Sequence, residues 1–419
     1  MSEYSAFKHR MMGLVRFDPT EPARKATDHL LVSPGVTWSF LVPSDDGDVV
    51  INTGMPSEGP HHRARYEQLL GRKLDVRKIV ITQHHPDHMG GWQAFNDPGC
   101  EIIAHANYPT LWHERRELGE FFRPRERRVL PTMTNAAAHK DWHKAAEEIP
   151  SLTTFTEHLD FIVGGRRFEL HWAPSGEAID GIIVWLPEER SVLVGNLMGA
   201  LPGSLPHFYT VRGDRQRSLT RFLVDVNHLI GLKPKLLALG HGDPIIGDGP
   251  VSDYLTKLRD AVQYIRDETI KGMSAGKDLH TLMREIKLPK NLEHLPGRGR
   301  LGWYVRAMWE EITGWFRQES TTELYDVPQK EVWGDLVELA GKDKLIARAG
   351  EHLAAGRHLH ALHLTDIVLK GEPANRPARE IEIAALTRLM EQGKGELLDE
   401  QGWLETSLNV AREAIGETS

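Results

Sequence analysis

A single cysteine, Cys100, occurs among the 419 residues of the sequence. A disulfide bond within the chain is therefore excluded, and so is a zinc site built from several thiolates. Any bound metal would have to use His, Asp and Glu side chains. The one thiol is expected to be a small buried apolar group.

The sequence also lacks a long hydrophobic run and an excess of positive charge. No stretch approaches the roughly 18 apolar residues that span a bilayer, and residues 1–13 lack the apolar core of a secretion signal. With 59 acidic and 51 basic residues the formal net charge is -8, which disfavours nucleic acid and anionic membranes as partners. We predict a cytoplasmic protein that binds neither.

The length of 419 residues predicts two domains, because one typical core does not grow to this size. Before about residue 250, short apolar runs alternate with turns and helical segments, a pattern typical of an α/β layered domain. After that point strand patterns disappear and helical periodicity continues to the end. We therefore predict an α/β domain over residues 1–250 and an all-α packing or dimerisation domain over residues 251–419.

Within these domains, hydrophobic periodicity and turn residues predict individual elements. The strands are predicted at residues 38–42, 49–51, 76–82, 101–104, 155–163, 167–173, 182–186, 191–194 and 236–239. Helices are predicted in the first domain at residues 61–70, 106–128, 136–149 and 215–230. In the second domain they are predicted at residues 304–316, 330–340, 345–355, 358–370, 378–392 and 404–415.

Residues 81–91 hold the densest group of potential metal ligands, in the order Ile-Thr-Gln-His-His-Pro-Asp-His-Met-Gly-Gly. The strand predicted over residues 76–82 leads into this loop, so its side chains would stand at the rigid end of a sheet. His85, Asp87 and His88 supply two imidazoles and a carboxylate, which suit zinc and also iron or manganese. The pattern predicts a metal site.

Three further candidate donors follow later predicted strands, namely Glu177, Asn196 and His241. Each lies in a loop directly after a strand, which is the layout expected when a site is assembled along one edge of a sheet sandwich. Taken singly, a carboxylate or an imidazole in such a loop is more often a solvated surface group. Their shared placement makes them candidates for the same site.

These motifs resemble those of the metallo-β-lactamase superfamily, and most closely its alkylsulfatase branch. Residues 82–91 are similar to the motif Thr-His-x-His-x-Asp-His-x-Gly-Gly, and residues 52–54 to the strand end Asp-Thr-Gly. Residues 174–179, residues 210–213 and the helical segments at 302–325 and 345–390 are similar to alkylsulfatase segments. The resemblance implies an αββα sandwich followed by an all-α dimerisation domain, and hence a homodimer. The sterol-carrier-like C-terminal domain of that branch is expected to be missing.

By resemblance, the site has two metal positions on one edge of the sandwich. The first would consist of Gln83, His85 and Glu177. The second would consist of Asp87, His88 and His241, with Asn196 facing both. Gln83 replaces the first His of the family motif, and Asn196 replaces a bridging acidic residue. We expect one or two divalent ions, with zinc favoured and iron or manganese as alternatives, bound more tightly at the second position.

The expected chemistry is metal-assisted hydrolysis of a small organic ester, because a divalent ion lowers the pKa of bound water towards neutrality. Asp87 would orient the nucleophile, and His207 is the candidate for protonating the leaving group. By resemblance, Thr210 and Arg212 would bind an anionic group such as a sulfate. A purely packing role for His207 and a surface ion pair for Arg212 are the alternatives.

The favoured function is hydrolysis of a sulfate ester or of a related ester or ether. Two functions of other classes stay open on the sequence alone. One is a dinuclear iron oxidoreductase on the same fold. The other is a binding or scaffold protein with a decayed metal site, in which the helical domain carries the function.

Overall fold

The computed structural model describes residues 18–130, 146–295, 297–394 and 396–417. These residues form two compact units. The larger unit comprises residues 18–123, 146–295 and 297–311, and the smaller comprises residues 124–130, 312–394 and 396–417. Among the described residues, none of the helices has the length and apolar character needed to cross a membrane.

The first sheet of the larger unit has its strands in the same order in space as in the sequence. They are β1 (Arg24–Lys25), β2 (Leu31–Ser33), β3 (Ser39–Val42), β4 (Asp48–Ile51), β5 (Val76–Val80), β6 (Glu101–His105) and β7 (Thr153–Phe155). Pairing is antiparallel up to β4 and parallel from β4 to β7. Parallel strands need crossovers, which contain α1 (Gly59–Leu70), α2 (Pro86–Met89), α3 (Tyr108–Glu117) and α4 (Gly119–Val129).

The second sheet runs in the spatial order β13-β12-β11-β10-β9-β8. Its strands are β8 (His158–Val163), β9 (Arg166–Trp172), β10 (Ile182–Leu186), β11 (Ser191–Leu193), β12 (Leu236–Ala238) and β13 (Ile245–Ile246). Only β11 and β12 pair in parallel, and α5 (Leu219–Leu232) lies in their crossover. At the β8–β9 turn Gly164 and Gly165 both have positive φ, at 56° and 74°, which suits a tight hairpin.

The two sheets pack face to face, with helices on both outer faces. Phe40 and Ile51 of the first sheet share a buried cluster with Phe168 and Val184 of the second. A second cluster lies between the first sheet and helices α1 and α3. A third joins the second sheet to α5, α6 (Asp248–Ser274), α7 (Leu279–Glu285) and α8 (Leu301–Thr313). These layers confirm the predicted αββα sandwich.

The described residues 312–394 and 396–417 of the smaller unit contain helices and no strands. The helices are α9 (Trp333–Ala340), α10 (Lys342–Ala354), α11 (His358–Gly371), α12 (Arg376–Gly393) and α13 (Leu398–Glu413). Consecutive helices from α10 to α13 pack against one another. The Asn375 side chain caps α12 by accepting a hydrogen bond from the backbone N–H of Ala378 at 3.1 Å. The predicted all-α second region is therefore confirmed.

Helix α6 begins at Asp248 and therefore spans residue 250, and helices α6 to α8 pack onto the second sheet within the larger unit. A helix can cover a sheet from a neighbouring domain, so this packing does not assign the three helices to either domain. The division between residues 250 and 251 stays a prediction.

Several predicted elements have different bounds in the structure. The strand predicted over residues 155–163 is two strands, because the chain leaves the first sheet after Phe155 and joins the second at His158. The helix predicted over residues 106–128 is interrupted at Leu118, between α3 and α4. Of the helix predicted over residues 136–149, residues 136–145 lie outside the described residues, and residues 146–149 are not helical.

We expect Phe168→Ala to destabilise the larger unit, because Phe168 is fully buried between the sheets and stacks on Phe161 at 4.8 Å. The expected loss in the free energy of unfolding is about 3–5 kcal/mol. Ile162→Ala is the matched control in the same hairpin. Ile162 is 69% exposed, so its loss should stay below about 1 kcal/mol. Urea denaturation measures both, and equal losses would contradict the proposed packing.

Candidate metal centre

Asp87, His88 and His241 form the tightest group of potential ligands in the described part of the chain. One donor atom from each lies within 4.8 Å of the others. The imidazole Nε2 atom of each histidine is buried and has no hydrogen-bond partner among the described residues. The loop after β5 therefore meets the loop after β12 at one edge of the sandwich.

Neighbouring groups fix the proton of each ring on Nδ1. Nδ1 of His241 lies 2.5 Å from the backbone carbonyl of Val36, which can only accept. Nδ1 of His88 lies 3.1 Å from Oγ1 of Thr82, and that hydroxyl donates to Oδ1 of Asn52 at 2.9 Å. The Thr82 oxygen must then accept from His88. Both Nε2 lone pairs thus remain available for a metal. Groups that bond the other ring nitrogen of a metal-binding histidine commonly fix its tautomer in this way.

The protonation states also suit a metal. Burial lowers the pKa of His88 to about 4, and burial likewise lowers the pKa of His241, so both rings are neutral at pH 7. Burial opposes ionisation of Asp87, but His88, His241 and the Thr37 hydroxyl outweigh it and lower the Asp87 pKa. Two neutral imidazoles and one carboxylate are a donor set that fits zinc, and also iron or manganese.

The four residues predicted around the first metal position also come together, and all four are buried. The Gln83 amide nitrogen lies 2.8 Å from Nδ1 of His85. Nδ1 of His85 is 3.8 Å from Oε2 of Glu177, and the Asn196 amide donates to that same oxygen at 3.0 Å. The Gln83 amide therefore contacts the His85 imidazole, and the Asn196 amide contacts the Glu177 carboxylate.

The predicted acid His207 and the predicted substrate residues Thr210 and Arg212 lie on the segment between β11 and α5. Asp87, the other predicted catalytic residue, lies on α2. Nδ1 of His207 is buried 3.6 Å from Oε1 of Glu177. Arg212 is mostly buried, with Nη2 3.7 Å from Oδ2 of Asp214. Burial, then His84 and then Arg212, lower the pKa of His85 well below its usual range. The Arg212 charge therefore acts on the ligand cluster.

Thr210, unlike Arg212, lines a cavity. The cavity has a volume of about 500 Å³ and lies between the segment of residues 208–216 and helix α8. The other lining side chains include Tyr209, Asp214, Met283, Trp303 and Arg306. A volume of this size lies within the usual range of small-molecule sites.

The sequence did not predict several residues that contact the candidate ligands or the candidate acid. Asp214 lies 3.9 Å from Nε2 of His85 and 3.3 Å from Nη2 of Arg217. Arg217 is buried and donates from Nη1 to the backbone carbonyl of His207 at 2.6 Å. His84 lies 2.9 Å from Oδ1 of Asp180. The sequence feature that could have indicated Asp214 and Arg217 is the group of three arginines around one aspartate in residues 212–217.

Two family models match separate parts of the chain. The metallo-beta-lactamase superfamily model matches residues 32–241, half of the chain. The chain belongs to this superfamily. Residues 279–398 match the family described as alkyl sulfatase dimerisation.

Two proteins similar to this chain are named as sulfatases. A linear primary-alkylsulfatase from a Pseudomonas species is 25% identical over 380 residues, covering 83% of this chain and 69% of that protein. An alkyl/aryl-sulfatase from Saccharomyces cerevisiae is 23% identical over 395 residues, covering 87% of this chain and 60% of that protein. The chain thus spans about two thirds of the length of these relatives.

A solved structure has the same fold. The stereoselective inverting sec-alkylsulfatase Pisa1 from Pseudomonas sp. superposes with a TM-score of 0.78, at 19% identity, covering 93% of this chain and 65% of that one. The predicted resemblance to the alkylsulfatase branch is confirmed. The similarities place the chain among the metallohydrolases, as the sequence predicts.

We expect Thr82→Val to weaken metal binding about 10–100-fold, because it removes the oxygen that accepts from Nδ1 of His88. Competition with a chromophoric chelator measures the affinity. Thr269→Val is the matched control, since Thr269 is also fully buried and its hydroxyl bonds only within α6, to Ile265. Equal affinities in the two variants would contradict a role for Thr82 in the site.

Proposed function

We propose that this chain is a metal-dependent hydrolase of alkyl or aryl sulfate esters. The observation that carries the proposal is the group of Asp87, His88 and His241 together with Arg212, which lies 3.7 Å from Asp214, a carboxylate that is itself 3.9 Å from His85. Similarity to proteins named as alkylsulfatases supports the sulfate ester over other esters. The reaction adds water across the ester and yields sulfate and an alcohol.

We propose that Asp87, His88 and His241 hold zinc, since catalytic zinc sites commonly use three protein ligands and leave one position open. A bound divalent ion supplies Lewis-acid chemistry, lowering the pKa of water and polarising the ester. The Thr37 hydroxyl donates to Oδ2 of Asp87 at 2.5 Å, which keeps this carboxylate ionised and fixed in orientation. Iron and manganese are the alternatives for the same donors.

The substrate sulfate is proposed to bind Arg212, whose planar guanidinium suits two oxygens of one anion. Arg217 holds the backbone of His207, so the arginine-bearing segment is tied to the candidate acid. His207 is proposed to give its proton to the leaving oxygen. The organic group is proposed to enter the cavity lined by Thr210 and Trp303.

The direct test is turnover by the zinc-loaded protein with alkyl sulfates of increasing length, aryl sulfates, carboxylic esters, lactones and aryl ethers. Release of sulfate from at least one sulfate ester is the expected result. The dependence on alkyl length tests whether the organic group fills the cavity. Turnover of carboxylic esters or ethers alone would overturn the sulfate assignment, and an iron-dependent absorption band with redox activity would favour an oxidoreductase.

We expect Arg212→Ala to lower kcat/KM for a sulfate ester by about 10–1,000-fold, because a charge-assisted contact to the anion is lost. Steady-state kinetics at constant zinc measures the change. Arg259→Ala is the matched control, since Arg259 lies on α6 and pairs with the adjacent Asp260. An Arg212→Ala enzyme as active as the control would contradict a role for Arg212 in sulfate binding.

We also propose that the protein is a homodimer that associates through its helical region. The match to an alkyl sulfatase dimerisation family supports this association. Several large apolar side chains of the smaller unit are exposed in the single chain, including Trp315 at 74%, Tyr325 at 70% and Leu339 at 85%. Exposed apolar groups of this size commonly mark association surfaces.

We expect Leu339→Glu to shift the protein towards monomer, because a charge would be buried in the proposed interface. Size-exclusion chromatography with light scattering measures the mass. Ile162→Glu is the matched control, since Ile162 is an exposed apolar residue, at 69%, in the larger unit. A monomeric wild type, or the same mass for both variants, would contradict the proposal. The cytoplasmic location and the absence of nucleic-acid and membrane partners stay predictions.

A further inference from the structure

We propose that this chain binds one metal ion, and that Gln83, His85, Glu177 and Asn196 form a hydrogen-bonded cluster where the resemblance implies a first metal position. We call these four residues the amide cluster. This inference rests on the proposed metal site of Asp87, His88 and His241. Because the number of bound metal ions is measured without any assay of turnover, the inference can fail while the proposed sulfatase activity stands, and the reverse.

The lone pair that His85 would offer to a metal is already used. Its Nδ1 atom lies on the side of Glu177, at 3.8 Å from Oε2, and accepts a hydrogen bond from the Gln83 amide at 2.8 Å. The ring proton is then on Nε2, which lies 3.9 Å from the Asp214 carboxylate. His88 and His241 have the opposite arrangement, with the proton on Nδ1 and a free lone pair on Nε2.

The Glu177 carboxylate is likewise engaged by an amide. Its Oε2 atom accepts from Asn196 at 3.0 Å, and its Oε1 atom faces His207 at 3.6 Å. An acidic side chain at position 196 would place two carboxylates in contact, which is stable only with a cation or a shared proton between them. The amide instead donates a hydrogen bond to Oε2 of Glu177, so the approach of these two side chains needs no metal between them.

The charges around the amide cluster also oppose a second divalent ion. Glu177 is its only carboxylate. Although burial acts against ionisation, His207, Arg217 and Arg298 hold the pKa of Glu177 well below its usual range, so cations already compensate this charge. Arg212 and Arg217 both approach Asp214, at 3.7 and 3.3 Å, and Asp214 lies 3.9 Å from His85. A second ion would therefore add positive charge to a buried group whose carboxylate already has cations close to it.

The donor count agrees with the hydrogen bonds. Among the described residues, the only group of three or more His, Cys, Asp or Glu side chains close enough to share an ion is Asp87, His88 and His241. The amide cluster offers one imidazole and one carboxylate, both hydrogen-bonded to amides. Gln83 would have to rotate and break its hydrogen bond before Nδ1 of His85 could bind an ion, and Asn196 donates to Oε2 of Glu177, the carboxylate oxygen that lies 3.8 Å from His85.

The test is the metal content of the protein after chelator treatment, reloading with excess zinc and desalting. One zinc per chain is expected by elemental analysis, and calorimetric titration should show one binding event. His85→Ala should still bind one zinc, and His241→Ala should bind none. Two zinc ions in the wild type, or loss of zinc in His85→Ala, would overturn the inference. No zinc in the wild type would overturn the proposed metal site as well.

A restoring variant tests the cause. Gln83→His combined with Asn196→Asp returns an imidazole and a bridging carboxylate, so a second equivalent of zinc or cobalt should bind, with a second set of cobalt absorption bands. Gln93→His is the control, because Gln93 lies outside the amide cluster and bonds to Glu147. A folded double variant that still binds one ion would overturn the role of the amides. Circular dichroism checks folding, and the His85→Ala result stands independently of it.

Discussion

The candidate metal centre depends on two buried imidazole nitrogens that have no hydrogen-bond partner among the described residues. Nε2 of His88 and Nε2 of His241 lie in a water-poor edge of the sandwich, and no described residue satisfies them. Leaving a buried polar atom unpaired costs about 1–3 kcal/mol. The sandwich maintains that arrangement through the hydrogen bonds that hold each Nδ1 atom, and a metal would offset the cost.

The fold brings this pair together through close backbone packing of the ligand loop. At Gly91, a Cβ atom would lie 2.3 Å from the backbone oxygen of Thr53 and 2.6 Å from the Cα atom of Gly59. The glycine therefore allows the end of the loop to pack against the chain that follows β4. Asn52, at the end of β4, has a positive φ of 57° and accepts from both the backbone and the hydroxyl of Thr82. The loop motif thus has packing requirements as well as chemical ones.

Much of the fold and part of the site followed from sequence pattern. Alternation of apolar and polar residues predicts most strands, and the polar loops after β5, β9, β11 and β12 do meet. The strand predicted over residues 155–163 was wrong as one element, since periodicity continues while the chain changes sheets. Asp214 and Arg217 were missed because their partners are set by a loop conformation that no periodic pattern encodes.

The sequence by itself determined the kinds of donor at the site. Residues 85–88 supply two imidazoles and a carboxylate, His241 supplies a third imidazole, and Gln83 and Asn196 supply two amides. Only the tertiary structure decided which nitrogen of each ring keeps a free lone pair. The reason is that the partner of a ring nitrogen can come from anywhere in the chain. Val36, which orients His241, lies 205 residues away from it, whereas Gln83 occupies the lone pair of His85 from two residues away.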